Sequence, residues 1–260
     1  VRAAVIALLL AALPAVAQQP AAPDGKRNDI TGPFGVRPLW QPATAERSRP
    51  GDPAAGRVLA AGREGAGNWA CHSCHGMDGA AEGSGAFPRL AGQSAWYLFA
   101  QLAAYASGER AHPEMTPIAR SLTISDMQDV SAWYAAQTDA PLAPAPRPDV
   151  RTLQLGAALS AAGVPARGVT ACQSCHGAGG AGGDLMAPVL AGQYAAYTAL
   201  QLRLWKRGER NAGALGVMPR IASGMTEDEI AAAAAYFASV RPAVRASVDP
   251  PTGDATATQR

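Results

Sequence analysis

Two short stretches of this chain carry all four of its cysteines, and each sets them beside histidine. "NWACHSCHGMDG", residues 68 to 79, places Cys71, His72, Cys74 and His75 within five positions. "VTACQSCHGAGG", residues 169 to 180, places Cys172, Cys175 and His176 in the same frame. Such clusters serve three chemistries: zinc ligation, a redox disulfide, or covalent attachment of a porphyrin. Four thiolates would suffice for zinc, but Cys71 and Cys172 lie 101 positions apart, and zinc gives no reason for a histidine directly after each pair. A thioredoxin-like disulfide needs a βαβ setting, and no segment shows strand alternation of useful length. C-x-x-C-H, by contrast, is the attachment signature for haem. Two thiols at this spacing on a tight helical turn reach the two vinyl groups on one porphyrin edge. The adjacent imidazole then lies under the ring, where it can bind iron. The residues point to two covalently bound haem c groups, one on Cys71 and Cys74 with His75, the other on Cys172 and Cys175 with His176.

The elements that must position these residues are written twice. "PRLAGQ" at 88 to 93 returns as "PVLAGQ" at 188 to 193, and "GER" at 108 to 110 returns at 208 to 210. "MTPIARSLTISDMQDVSAWYA", from Met115, aligns with "MPRIASGMTEDEIAAAAAYFA", from Met218. Asp52-Pro53 and Pro148-Asp149 read as helix starts. A helix is expected from about Ser94 to Ser107, stopped by Gly108, with a twin from about Tyr194 to Arg207, stopped by Gly208. Thr123 with Asp126, and Thr226 with Glu229, form capping patterns before a last helix. Its apolar face is Met127, Val130 and Tyr134 in one copy, and Ile230, Ala233 and Phe237 in the other. The expected fold class is all-α, a duplicated small helical domain.

At 260 residues the chain suits two domains of about 100 residues. Apolar residues make up 48%, but much of that share is alanine, which buries little area; a bound haem would fill each thin core. "VRAAVIALLLAALPAVAQQP" reads as an export signal: Arg2, an apolar run to Leu13, and Ala15-Val16-Ala17 before Gln18. The run is too short to span a membrane comfortably, and Pro14 interrupts it. The expected organisation is a signal peptide at 1–17, a Pro/Gly-rich extension at 18–51, a first domain at 52–140, a Pro-rich linker at 141–148, a second domain at 149–245 and a disordered tail at 246–260. A formal net charge of +2 is too small to suggest nucleic acid. The two domains differ in sign, with five Arg against nine acidic residues between Asp52 and Ala140, and nine Lys/Arg against six between Asp149 and Arg245. Such asymmetry would orient the molecule on a partner, with Arg203, Lys206, Arg207 and Arg210 as a candidate docking cluster.

On "CHSCHG" and "CQSCHG", the two "P-x-LAGQ" segments, and the methionines followed by "IA" and a capped helix, the chain resembles the periplasmic di-haem cytochromes c of the c-four type, built from tandem class I cytochrome c domains. The resemblance covers about residues 52 to 241. It implies iron ligation by His75 and Met115 in the first domain and by His176 and Met218 in the second, and Pro88 and Pro188 as carbonyl acceptors for the ligating imidazoles. It also brings Tyr97, Tyr197, Gln93, Gln193 and Arg89 toward haem edges or propionates. His112 and Met186 are the competing sixth ligands; Met127 and Met225 read as core. Trp96 and Phe99 against Ala196 and Ala199 predict unequal haem surroundings and unequal potentials.

The function implied is periplasmic electron transfer without catalysis, between a respiratory or dehydrogenase donor and a terminal oxidase or other acceptor. The expected partners are redox proteins: a membrane respiratory complex, a terminal oxidase or a dehydrogenase. No membrane span is expected after signal cleavage, though peripheral association stays open. The alternatives are a cytochrome subunit of a larger periplasmic dehydrogenase, or a di-haem peroxidase. A peroxidase needs an accessible iron, whereas both halves here carry the same methionine. A haem sensor would need an absent or weakly held sixth ligand.

Overall fold

The computed structural model describes residues 50–62, 70–144, 147–182, 187–210 and 216–241. The expected signal peptide, most of the extension at 18–51, Met186 and the tail lie outside them. The described residues form ten α-helices, with no strand beyond an isolated bridge between Val164 and Val169. In the first half these are α1 (Pro53–Ala61), α2 (His72–His75), α3 (Ala95–Ser107), α4 (Met115–Arg120) and α5 (Ile124–Ala135). The second half repeats them as α6 (Val150–Ala161), α7 (Gln173–His176), α8 (Ala195–Lys206), α9 (Val217–Ser223) and α10 (Glu227–Ser239). None of these helices is long and apolar enough to cross a membrane.

Local chemistry sets most helix ends. The Asp52 carboxylate accepts from the Ala54 N–H at 2.8 Å, and Pro53 occupies the first helical position, where a missing N–H costs nothing. Asp149 caps α6 through the Thr152 N–H at 3.0 Å. Reciprocal capping boxes, Thr123 with Asp126 and Thr226 with Glu229, open α5 and α10. The other helix starts differ between halves: Ser94 caps α3 with its hydroxyl, whereas Tyr194 offers α8 no side-chain cap.

Each half has its own apolar cluster. Ala60, Leu98, Val130 and Tyr134 form the first; Leu159, Val169, Leu202, Met225 and Ile230 belong to the second. The frame of each is a crossing of first and last helix, α1 on α5 and α6 on α10. A glycine makes that crossing close. A Cβ built on Gly56 would stand 2.0 Å from the Asp129 carbonyl oxygen, and one on Gly156 would stand 2.4 Å from that of Ala232. Glycine inside a helix normally costs about 0.5–1 kcal/mol relative to alanine. Here that cost is outweighed by backbone contact between helices.

Gly56→Ala and Gly156→Ala should therefore destabilise the protein, despite the better helix propensity of alanine. Overpacking of this kind costs about 1–3 kcal/mol. Denaturant unfolding of the haem-loaded protein measures it, and a gain in stability would contradict the close crossing.

Candidate haem sites

Each cysteine motif folds as one helical turn, with the first cysteine at its N-terminal boundary and the histidine at its end. The chain then turns sharply at Gly76 and Gly177, whose φ values of +74° and +75° disfavour any residue with a Cβ. Cys71 and Cys172 are half-buried, and Cys74 and Cys175 are exposed. Burial pushes the Cys71 and Cys172 thiols up from their ordinary range before a haem is attached.

The two histidines are buried, each 8% exposed. His75 Nδ1 lies 3.1 Å from the Pro88 carbonyl oxygen, and His176 Nδ1 lies 2.9 Å from that of Pro188. A carbonyl only accepts, so Nδ1 carries the proton and Nε2 keeps its lone pair. Burial lowers the pKa of both rings, against the opposing pull of the proline carbonyls, and so favours the neutral imidazole that a metal needs. A cavity of about 660 Å³ runs through both halves, with mostly apolar lining. His75, His176, Met115 and Met218 all border it, as do the four cysteines. His112 borders it too, but its Nδ1 accepts from the backbone N–H groups of Glu114 and Met115 at 3.3 Å each, capping α4. Met127 and Met225 are buried at 6% and 4% exposure, as core residues should be; Met225 also touches the cavity wall.

The walls of the two sites differ, though not where Trp96 and Phe99 suggested, since neither borders the cavity. The differing pairs are Arg89 and Val189, Leu98 and Thr198, Tyr105 and Trp205, Leu122 and Met225, Val130 and Ala233, and Tyr134 and Phe237. Tyr134 donates to the Gly76 carbonyl at 3.1 Å, and Trp133 donates to the Met77 carbonyl at 3.0 Å. Phe237 has no hydroxyl for the corresponding bond.

Between the halves runs a pseudo-symmetric set of hydrogen bonds. Gln93 donates to the Val189 carbonyl at 3.1 Å and accepts from the Val189 N–H at 2.7 Å. Gln193 makes the mirror pair with Arg89, both bonds at 2.9 Å. The Arg89 guanidinium donates to the carbonyls of Pro141 and Ala140, clamping the linker. Tyr194 donates across the interface to the Ala80 carbonyl. These side chains border the cavity only in part, and their polar atoms are spent on protein rather than left for propionates. Gln101, Gln201, Arg110 and Arg210 also bridge the halves; sequence reasoning missed the first three and placed Arg210 in the docking cluster. The repeated "GER" carried that signal but was used only to align the copies. The expected basic docking cluster is not a free patch: Arg203 pairs with Glu227 at 2.7 Å, Arg207 with Glu209 at 2.7 Å, and Arg210 is buried.

A haem fits these residues. The cavity is apolar, buried neutral imidazoles border it, and the Trp205 Nε1–H and Thr198 hydroxyl on its wall are buried without partners. Residues 59–136 match the family described as cytochrome c, and residues 164–237 match cytochrome c oxidase, cbb3-type, subunit III. Fold and site thus define a tandem cytochrome c with two covalently bound haem c groups. Among relatives, the thiosulfate dehydrogenase electron acceptor of Stutzerimonas stutzeri is 38% identical over 66% of this chain and 79% of its own length. Cytochrome c4 of Pseudomonas aeruginosa is 35% identical over 72% of this chain and 88% of its own length. The crystal structure of reduced recombinant cytochrome c4 from Pseudomonas stutzeri superposes with a TM-score of 0.65 at 32% identity, covering 74% of this chain and all of that one. A thiosulfate dehydrogenase from Marichromatium purpuratum gives a TM-score of 0.68 at 37% identity, over 80% of this chain but only 44% of that one. The chain belongs to the family of di-haem cytochromes c4 and is also similar to these electron acceptors.

Replacing Gln193 by Ala would leave the Arg89 backbone N–H and carbonyl unpaired at the interface. Buried groups stranded this way cost about 1–3 kcal/mol each. The expected result is a lower melting temperature and, in calorimetry, separation of one transition into two as the halves uncouple. An unchanged single transition would mean that the glutamine pairs do not join them.

Proposed function

We propose that this chain is an electron carrier exported to the periplasm, in which His75 and Met115 would hold the first iron and His176 and Met218 the second. The observation that carries this reading is the paired arrangement of one buried imidazole and one methionine, at equivalent positions in both halves, around one cavity. The haems supply a one-electron iron couple when bound. The protein does the rest. Cys71, Cys74, Cys172 and Cys175 would hold the two porphyrins through thioether bonds. Pro88 and Pro188 hold the imidazoles in the ligating tautomer. Methionine sulfur is soft and favours reduced iron, which sets the couple higher than a second imidazole would. Exposed Cys74 and Cys175 bring the attached porphyrin edge to the surface, where a redox partner can approach.

With both sixth positions filled, no iron site is left for a substrate. The chain is therefore a carrier rather than a peroxidase. Its partners are redox proteins: a dehydrogenase or respiratory complex as donor, and a terminal oxidase or other acceptor. The relatives named as thiosulfate dehydrogenase electron acceptors favour a dehydrogenase that oxidises thiosulfate as donor. In that case catalysis resides in another chain, and this one removes the electrons.

An oxidised absorption spectrum of the haem-loaded protein should show the weak sulfur-to-iron band near the red end, and carbon monoxide should leave the reduced spectrum unchanged. Met115→Ala and Met218→Ala should each open one iron, halving the sulfur band and giving a carbon-monoxide shift at half amplitude. A shift in the parent protein would overturn the carrier reading. As a test of the donor, thiosulfate should reduce the protein only when a thiosulfate dehydrogenase is added; the same reduction rate without it would refute this assignment.

A further inference from the structure

Among the described residues three arginines are buried, and Arg89 has an evident structural task on the linker. The other two, Arg110 and Arg210, are 8% and 6% exposed and stand at equivalent places in the two halves. Arg110 donates to Gln101 Oε1 at 2.7 Å, to the Tyr197 hydroxyl at 2.8 Å and to Gln201 Oε1 at 3.0 Å. Arg210 donates to Gln201 Oε1 at 2.6 Å and to Gln101 Oε1 at 3.0 Å. Each glutamine oxygen thus accepts from both arginines, which holds the two guanidiniums together across the interface. Arg110 also lies 4.5 Å from the Tyr105 ring centre, and Arg210 4.0 Å from that of Trp205.

Every one of these acceptors is neutral. Two glutamates border the same cavity, but neither serves the pair: Glu209 takes both its bonds from Arg207, at 2.7 and 2.9 Å, and the Glu114 side chain is exposed to solvent. Two adjacent buried cations without a counter-charge are costly to a fold. The field they make is visible on Tyr197: burial raises its phenol, yet the two guanidiniums outweigh that and leave it below its ordinary value. All six side chains, Gln101, Gln201, Arg110, Arg210, Tyr197 and Trp205, border the haem cavity, and the unpartnered Trp205 N–H adds one more donor. Haem c brings two carboxylates to each half, so the anions missing from the protein arrive with the cofactor.

We propose that Arg110 and Arg210 form one electrostatic unit shared by both haems, pairing with their carboxylates and raising both reduction potentials together, so that the arginine of each half tunes the iron of the other. The proposal rests on the di-haem carrier reading above. A fixed positive charge favours the less positive, reduced iron, and a buried one is little screened by salt.

The test is a spectroelectrochemical titration of the haem-loaded protein, resolving both midpoints. Arg110→Gln should lower both: at a fixed poise the reduced-to-oxidised ratio of each haem should fall about tenfold, a shift of about 59 mV for a one-electron couple. Gln101→Glu is isosteric and neutralises the pair from within, so it should lower both midpoints even if Arg110→Gln fails to hold its haems. A shift confined to one haem, or no shift, would overturn the shared unit. Loss of haem from both variants would make the cluster a structural support and overturn it equally. A failure of the carrier reading shows separately, as a carbon-monoxide shift in the unsubstituted protein.

Discussion

The hydrogen bond from His75 Nδ1 to the Pro88 carbonyl, with its twin from His176 to Pro188, is the tie on which each half depends. It does three things at once. It fixes the proton on one ring nitrogen and leaves the other with its lone pair. It holds the imidazole in an apolar wall, where its neutral form is favoured. It also anchors the start of the P-x-LAGQ segment, whose next residues build the rest of the site. The N–H groups of Leu90 and Ala91 both bond the Gly79 carbonyl, at 2.8 and 3.1 Å, and those of Leu190 and Ala191 do the same with Gly180. The loop after each attachment turn and the loop opposite it thereby become one rigid frame.

That frame leads directly into the interface. Five residues past the start of each anchored segment, a glutamine reaches across and pairs with the backbone of the opposite one, as a neighbouring strand would. Reciprocal side-chain-to-backbone bonds of this kind have strict geometry, so they specify one orientation of the halves where an apolar patch would allow several. The arginine and glutamine cluster lies beyond them and obeys the same approximate two-fold relation. Because each half contributes the same residue types to the same places, duplication alone generates a self-complementary surface, much as an isologous dimer does.

Much of this was legible in the sequence because it is local. Asp52-Pro53, the capping boxes at Thr123 and Thr226, and the stop at Gly108 need only neighbouring residues to act, and the structure places helix ends at each. The attachment turns were legible for the same reason, since their chemistry is fixed by spacing. Contacts between distant segments were not. Gln93 and Arg89 were assigned toward the cofactor by resemblance, yet their polar atoms meet protein groups some 50 to 100 positions away. Local sequence does not distinguish a buried Arg210 from an exposed Arg207 three residues earlier. The repeat did hold a usable signal: Gln101 and Arg110 recur as Gln201 and Arg210 at one constant offset. Polar residues kept in both copies at one spacing, inside an otherwise apolar helix or just after it, point to a shared buried contact.

The two haem environments combine a common part with a different part, and these act on different quantities. A charge pair held at the interface and shared by both sites moves both potentials in one direction, so it sets their level without separating them. Separation has to come from side chains that line one site and not the other. Six pairs qualify: Arg89 and Val189, Leu98 and Thr198, Tyr105 and Trp205, Leu122 and Met225, Val130 and Ala233, and Tyr134 and Phe237. In the first half the Tyr134 hydroxyl is spent on the Gly76 carbonyl, so it pins the loop and adds no free dipole to the cavity. In the second half the Thr198 hydroxyl and Trp205 N–H are buried without protein partners, so their dipoles remain available to whatever fills the cavity. In the first half the Ser131 hydroxyl is likewise buried without a partner on the cavity wall, so each site keeps free dipoles of its own, and Phe237 makes the second the more apolar near its attachment loop. The sign of the separation depends on which of these lies closer to iron, while the shared arginines bias both irons toward reduction. A duplicated scaffold can in this way hold one working range in common and still divide it into two steps.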